Sequence, residues 1–402
     1  MKAVVWHGTG DIRLDDVPDP QLFEPTDAIV RITRSAICGT DLHMVRGTLP
    51  GMMEGTVLGH EAVGVVVEVG DAVRGFSTGD RVVVTSTIGC GTCSYCRAGY
   101  YAQCDKANPN GPAAGTCFFG GPQSTGPVNG LQAEFARIPH ASTTLVRVPD
   151  EVTDDQAILL SDIFPTAWFG ARLAEVGDGD TVVVLGAGVV GQLAIASAKR
   201  QGAARVLVVD GNRSRLEKAR AQNAEVVDFS TEDPVAVVRE LTGGVGPDRV
   251  VDAVGIDAER PSSGPAADGV EDLADFGEEK ELAAPDASPD GELWQPGSAP
   301  SLALRWAVQM VAKAGSVGVI GVYPPGFDRF PIGEAMNKNL TVRMGNCNHR
   351  RYLPRLMDLV LTGVVDPIPF ITQYEKPTSA IDAYRTFDLR EDGWLKTVLE
   401  VA

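Results

Sequence analysis

A chain of 402 residues, 44% hydrophobic and 22% charged, has the size for two or three domains and the composition of a globular enzyme. Its formal net charge of −18 argues against a sequence-independent grip on nucleic-acid phosphate. Seven cysteines, five of them (Cys90, Cys93, Cys96, Cys104 and Cys117) clustered, point to metal binding rather than to the disulfide framework of a short secreted chain.

Met1 to Trp6 run at once into His7, Gly8 and Asp11, so no apolar core of a signal peptide is present, and a cytoplasmic protein is expected. Residues 1 to about 160 read as short strands broken by Gly, Pro and Asp, with examples at 28–33, 62–69 and 81–85. This stretch is expected to be an all-β module with long loops. It carries Cys38-Gly39-Thr40-Asp41-x-His43 and, further on, Gly59-His60-Glu61. Cys and His both ligate zinc, and two of them with one more ligand leave a fourth position open for a substrate oxygen. A buried cysteine and a satisfied core histidine would fit the same residues.

Cys90-x2-Cys93-x2-Cys96-x7-Cys104 is the strongest local signal. Four thiolates at this spacing close a tetrahedral shell around zinc and leave no open position, which makes a structural site. An iron–sulfur cluster uses the same ligands, and free thiols are the remaining reading.

From about residue 180 the rhythm changes to strand–helix alternation: a strand at 181–185, a helix at 190–201, a strand at 205–209, a helix at about 213–222 and a strand at 225–228. Such alternation implies right-handed crossovers and a parallel, doubly wound sheet. The uncharged run 181–198 has the length of a membrane span, but it contains Gly186-Ala187-Gly188-Val189-Val190-Gly191. These glycines follow a strand and open a helix, so the backbone can approach a pyrophosphate at a helix N-terminus. Asp210 ends the next strand, where an acidic side chain accepts from ribose hydroxyls and repels a 2′-phosphate. Residues 257–300 hold twelve acidic and two basic residues with many Pro, Ala, Gly and Ser, which composition alone assigns to a disordered linker. Alternation resumes at 302–314 and 316–322, and a helix is expected over 351–362. The polar run Asn346-Cys347-Asn348-His349-Arg350 reads as a plain loop.

The order of these parts, with Gly79-Asp80-Arg81-Val82 between them, resembles the zinc-dependent medium-chain alcohol dehydrogenase family over nearly the whole chain. Within it, Ser161-Asp162-Ile163-Phe164-Pro165-Thr166, Val251-Asp252-Ala253-Val254-Gly255 with the insertion after it, Gly321-Val322-Tyr323 and Asn337-Lys338-Asn339-Leu340-Thr341 resemble the glutathione-independent formaldehyde dehydrogenase and aldehyde dismutase branch. The resemblance implies an α/β chain: a GroES-like β-barrel catalytic domain (1–160 and 330–402) and a Rossmann doubly wound domain (161–329) interrupted at 257–300.

It also implies residue roles. Cys38, His60 and Asp162 would hold a catalytic zinc, Asp162 standing where many relatives carry Cys, with Glu61 beside the metal and Asp41 orienting His60. Cys90, Cys93, Cys96 and Cys104 would hold a second, structural zinc. Thr40 would bond the reacting oxygen and pass its proton towards His43 near the surface. NAD would be met by Thr166, Gly186, Gly188, Val189, Val190, Gly191, Asp210, Arg215, Ile320 and Val322, with Lys396 near the pyrophosphate. The implied reaction moves hydride between NAD and a small alcohol or aldehyde, without membrane or nucleic-acid partners, in a homodimer or homotetramer. Two alternatives stay open: strict formaldehyde dehydrogenase or dismutase activity, and a zinc- and nucleotide-binding protein without catalysis. In that branch the insertion covers the adenine end of NAD; here Leu282, Leu293 and Trp294 would form an apolar cover.

Overall fold

The computed structural model describes residues 1–268, 270 and 273–401. The chain divides into two compact units, Met1–Pro165 with Asp286–Gln295 and Asn346–Ala402, and Thr166–Pro285 with Pro296–Gly345.

The first unit is built on a seven-stranded, largely antiparallel sheet. Its strands run in the order Gln373–Glu375, Thr397–Glu400, Ala28–Ile37, Ala62–Val69, Arg81–Val84 and Leu145–Arg147, with Phe135–Ile138 also paired to Ala28–Ile37. Irregularities at Ile29/Val30 and Ile32/Arg34 let the ten-residue central strand serve three partners. Val30, Ile32, Val66, Val82, Val84, Phe119, Leu131 and Ile138 fill the interior. A three-stranded sheet, in the order Asp11–Asp16, Lys2–Gly8 and Thr56–Val57, completes the β structure.

This unit is not all-β. Helices span Gly39–Val45 and Asp154–Ser161. The second starts where a sequence signal exists: the Thr153 hydroxyl accepts from Gln156 N–H at 3.1 Å, and Gln156 Oε1 accepts from Thr153 N–H at 3.0 Å. Asp154 and Asp155 occupy its first turn, the favourable end of the dipole.

The second unit holds a six-stranded parallel sheet in the order Glu225–Asp228, Arg205–Asp210, Thr181–Leu185, Arg249–Asp252, Ser316–Val319 and Thr341–Met344. Helices Val189–Arg200, Arg213–Ala221, Pro234–Leu241 and Leu302–Met310 accompany it. Valine-rich strands with both faces covered are what a parallel sheet requires. No helix among the described residues is long and apolar enough to cross a membrane.

Two expected boundaries move. Residues 330–345 belong to the second unit, because Thr341–Met344 pairs in register with Ser316–Val319 as the last strand of its sheet. Residues 286–295 belong to the first unit, where Trp294 is 4% exposed and packs with Val4, Ile12, Leu42 and Met44. Leu293 packs beside it, so these two side chains serve the first unit's core rather than the expected apolar cover, and Leu282 is exposed.

The 257–300 segment also departs from the disordered linker that its composition suggests. It forms helices Pro265–Asp268 and Leu273–Ala283; Gly269, Glu271 and Asp272 lie outside the described residues. Acidic side chains are what anchor it. Buried Glu279 accepts from Ser301 N–H at 3.1 Å, Ser301 hydroxyl at 2.9 Å and Arg305 at 3.0 Å, and the Arg305 guanidinium lies over the Phe276 ring. Trp294 N–H donates to Asp388 at 2.6 Å, and Asp388 accepts in turn from buried Arg46 at 2.7 Å. Composition averages over such residues and cannot register a single satisfied carboxylate.

Candidate active site

Three separate stretches of the first unit bring Cys38, His60, Glu61 and Asp162 together, with one ligand-type atom from each lying within 4.8 Å of the others. Cys38 caps a short helix, Gly39–Val45, at the end of the central strand. His60 follows Gly59, whose φ of +91° and contact with Gln132 leave no room for a side chain. Asp162 is the C-terminal cap of Asp154–Ser161. The preceding residue fixes that cap: Ser161 hydroxyl donates to Val84 carbonyl at 2.5 Å and accepts from Ala62 N–H at 3.1 Å.

Asp41 organises the near side. Its carboxylate accepts from Cys38 N–H at 2.9 Å and from Gln132 at 3.3 Å, and stands 3.0 Å from His60 Nδ1. Gln132 is held by Tyr384 hydroxyl at 2.8 Å. With the proton on Nδ1 facing Asp41, the His60 lone pair at Nε2 faces the cluster, 3.4 Å from Asp162 Oδ2. His60 Nε2 and Glu61 Oε2 are buried without a hydrogen-bond partner. Such atoms are rare in folded proteins unless a ligand meets them. Thiolate, imidazole and carboxylate together are a donor set that zinc accepts. The residues present fit the metal.

Electrostatics follow from burial and pairing. Burial opposes the Asp162 carboxylate, yet hydrogen bonding from His349 and the neighbouring His60 hold it well below 3.8. Burial likewise opposes charge on His60, but Asp41 and Cys38 raise it well above its ordinary value. Burial pushes the Cys38 thiol up, against the pull of His60.

The four cysteines form the second group. Cys90 Sγ accepts from Thr92 and Cys93 N–H, Cys93 Sγ from Cys96 N–H and Cys104 Sγ from Lys106 N–H, all at 3.4 Å, and Cys104 Sγ also from Cys90 N–H at 3.2 Å. Backbone donors aimed at sulfur stabilise thiolates. Gly91 and Gly99, with φ of +75° and +87°, make the turns.

In the second unit the predicted glycine loop lies between Thr181–Leu185 and Val189–Arg200. A Cβ on Gly191 would stand 1.9 Å from Gly186 carbonyl oxygen, so only glycine permits this strand–helix approach. Gly188 caps the helix, and Val189 and Val190 form its first turn. Asp210, at the end of its strand, accepts from Ala187 N–H at 2.6 Å and Asn212 N–H at 2.8 Å, which ties it to the loop. Arg215 lies on the following helix with its Nε buried and unpartnered. Ile320 and Gly321 N–H donate to Asp252 carbonyl, Val322 carbonyl accepts from Ile256 N–H, and Tyr323 hydroxyl donates to the Asp252 side chain at 2.8 Å. Thr166 sits on the helix Ile163–Leu173.

Two site expectations are corrected. Lys396 is not a phosphate ligand: it is fully buried in the first unit, paired with Glu61 Oε1 and donating to Ile37 carbonyl at 3.1 Å. Its neighbours in sequence are a buried strand, which turns it inward. His43 is not near the surface: it is 3% exposed, with Nδ1 3.0 Å from Thr48 hydroxyl, because its short helix is packed into the core. Thr40 is half-buried in the same helix's first turn.

His349, which the sequence places in a plain loop, belongs to the site instead. It opens the helix His349–Leu361, and its Nε2 lies 2.5 Å from Asp162 Oδ1. Arg350 donates to Leu145 carbonyl at 3.0 Å. The signal available was the unusually polar run around it, too short to reveal a partner 187 residues away. Phe118, whose place the sequence could not give, meets His60 edge-on at 6.4 Å, whereas Phe119 is core.

Residues 24–150 match the alcohol dehydrogenase GroES-like domain, and residues 189–263 match the zinc-binding dehydrogenase family. An uncharacterized zinc-type alcohol dehydrogenase-like protein of Bacillus subtilis is 35% identical over 404 residues, covering 100% of both chains. The chain belongs to the zinc-type alcohol dehydrogenase family. An alcohol dehydrogenase from Thermus sp. ATN1 superposes with a TM-score of 0.79 at 32% identity, covering 100% of each chain. A glutathione-independent formaldehyde dehydrogenase of Pseudomonas aeruginosa is 39% identical over 272 residues, 64% of this chain and 66% of that one. As a zinc-type alcohol dehydrogenase-like protein, the chain is an oxidoreductase, with the GroES-like and Rossmann-like units that its sequence implies.

Proposed function

We propose that the protein is a zinc-dependent, NAD-linked dehydrogenase of small alcohols and aldehydes, with two zinc ions per chain. The observation that carries this reading is the pair of buried, unpartnered atoms His60 Nε2 and Glu61 Oε2 beside Cys38 and Asp162. Cys38, His60 and Asp162 would hold the catalytic zinc, which supplies Lewis acidity to an alcohol or carbonyl oxygen. Asp41 holds His60 in the tautomer that presents Nε2, and Phe118 walls the cluster with an apolar ring. Thr40, two residues after Cys38, bonds the reacting hydroxyl, and His43 with Thr48 takes its proton inward of the surface. Cys90, Cys93, Cys96 and Cys104 hold the structural zinc. Seven cysteines outside any disulfide suit the reducing cytoplasm.

NAD is the preferred cofactor on this reading because Asp210 presents a carboxylate at the ribose position, although its bond to Ala187 N–H also stiffens the loop. The test is metal analysis together with NADH formation over a panel of short alcohols and aldehydes. Two zinc ions, and at least about tenfold higher kcat/KM with NAD than with NADP that Asp210→Ser erodes, are expected. One zinc ion, or no turnover with any member of the panel, would favour the non-catalytic binding protein. The likeness to the Pseudomonas enzyme supports formaldehyde as a second reading, checked by turnover of formaldehyde without glutathione. The exposed Ile332, Met336 and Met344 on and beside Thr341–Met344, the edge strand of the six-stranded sheet, support a homo-oligomer, which sedimentation velocity would reveal.

A further inference from the structure

Asp162 is a demanding ligand to place. It stands outside the regular helix that ends at Ser161, with φ −137° and ψ −59°, and its carboxylate has two oxygens that could turn towards a metal. A carboxylate that gave both would occupy the fourth position that a substrate oxygen needs. The structure separates the two atoms. Oδ2 faces the cluster, 3.4 Å from His60 Nε2 and 3.9 Å from Cys38 Sγ, while Oδ1 meets His349 Nε2 at 2.5 Å.

The histidine ring is itself fixed. Its Nδ1 lies 3.0 Å from Thr87 hydroxyl, which lies 3.3 Å from Cys347 carbonyl. His349 begins a thirteen-residue helix whose cap, Asn348, accepts from Ala102 N–H at 3.0 Å through its side chain. Ala102 lies just ahead of Cys104 in the four-cysteine loop. Asn348 and His349 therefore join that loop to the far oxygen of Asp162, and Asn346 just ahead of them donates to Thr116 at 2.7 Å.

We propose that His349 is a positioning residue for the catalytic metal: it holds Asp162 by its outer oxygen, so that the carboxylate offers the metal a single oxygen and leaves the substrate position open. The inference rests on the reading that Cys38, His60 and Asp162 bind the metal. Partners of metal ligands of this kind change metal affinity about 10–100-fold when removed.

The experiment keeps zinc in the four-cysteine loop, empties the second site by dialysis and titrates it with Co²⁺, whose visible absorption reports ligand geometry. His349→Ala is expected to keep the wild-type far-ultraviolet dichroism, to bind Co²⁺ about 10–100-fold more weakly and to show a changed visible spectrum. His349→Gln, whose amide can still donate to Oδ1, is expected to restore most of both. A His349→Ala protein with wild-type affinity and spectrum would overturn the proposal, as would a His349→Gln protein no better than His349→Ala. Should His349→Ala not fold, Thr87→Val frees the ring while leaving it in place; it is expected to weaken Co²⁺ binding several-fold, and unchanged binding would overturn the proposal. A wild type that takes Co²⁺ nowhere but the four-cysteine loop would sink the underlying metal reading instead, a result that the variants alone cannot produce.

Discussion

The two clusters are assembled in opposite ways. Cys90, Cys93, Cys96 and Cys104 are neighbours in the chain, and their sulfurs are stabilised by backbone N–H groups of the same loop. Cys38, His60, Glu61 and Asp162 come from three separate stretches, and His60, Glu61 and Asp162 are held by the side chains of Asp41, Lys396 and His349. A loop that supplies its own donors is a folding device, indifferent to much of its surroundings. A cluster held by remote, buried side chains can be tuned one partner at a time, and it fails one partner at a time. The same contrast orders the expected mutational effects.

The largest belongs to Lys396. It and Glu61 are both fully buried, and breaking a buried ion pair by removing one partner costs about 3–5 kcal/mol. Burial already lifts the Glu61 carboxyl above its ordinary value, against the pull of the Lys396 ammonium. In Lys396→Met that pull is gone, so the carboxyl rises further and takes a proton. A raised folded-state value means that the neutral form is tolerated at low pH and that stability is lost as pH rises through that value. Denaturant midpoints of the variant should therefore lie closer to wild type at about pH 5 than at about pH 8, and Lys396→Met/Glu61→Gln should recover part of the difference. A loss independent of pH and unrepaired by the second change would show that the pair is not what holds this side of the cluster.

Asp162→Ala comes next, and it should act on chemistry rather than on the fold. Loss of a ligand exceeds loss of a ligand's partner, so kcat/KM should drop by more than about 100-fold with the thermal transition little changed. Cys90→Ser should do the reverse, lowering the transition while the folded fraction keeps most of its turnover. Equal effects on stability from both variants would erase the distinction between a folding device and a tuned site.

How much of this was legible from sequence follows the same line. The four-cysteine loop and Gly186 to Gly191 are local, so spacing alone carries them, and the strand–helix alternation around the glycines carries the parallel sheet. Cys38, His60 and Asp162 were placed by resemblance, because residues so far apart share no local pattern. Lys396 and His349 show what neither route reaches. The resemblance puts Lys396 near the pyrophosphate, whereas its strand buries it against Glu61. His349 looked like part of a polar loop until the fold set it against Asp162. The acidic insertion misled for a related reason: Glu279 and the Trp294–Asp388 contact are tertiary, and average composition contains neither.

The smallest expected effect is a single proton on the loop. Burial opposes ionisation of Cys90, but the Thr92 hydroxyl and the N–H groups of Thr92 and Cys93 outweigh it and lower the thiol from 9.0 to about 6. Burial pushes Cys96 and Cys104 the other way, and lifts Cys117 to about 12. In metal-stripped protein Cys90 should then be a thiolate above about pH 6, while Cys96 and Cys104 keep their protons. The sign follows from the lowered value: the Cys90 contribution to stability is present above the unfolded thiol's 9.0 and is lost as pH falls through about 6. Cys96 and Cys104, with raised values, contribute constantly over that interval and lose their contribution only above it, so within the loop the gain from about pH 6 to 9 comes from Cys90. Brief alkylation of the stripped protein at about pH 7, followed by peptide mapping, should label Cys90 before any other cysteine. Even labelling across the four, or first labelling at Cys38 in the other cluster, would mean that backbone donors do not set the loop's chemistry, and the contrast between the two clusters would lose its physical basis.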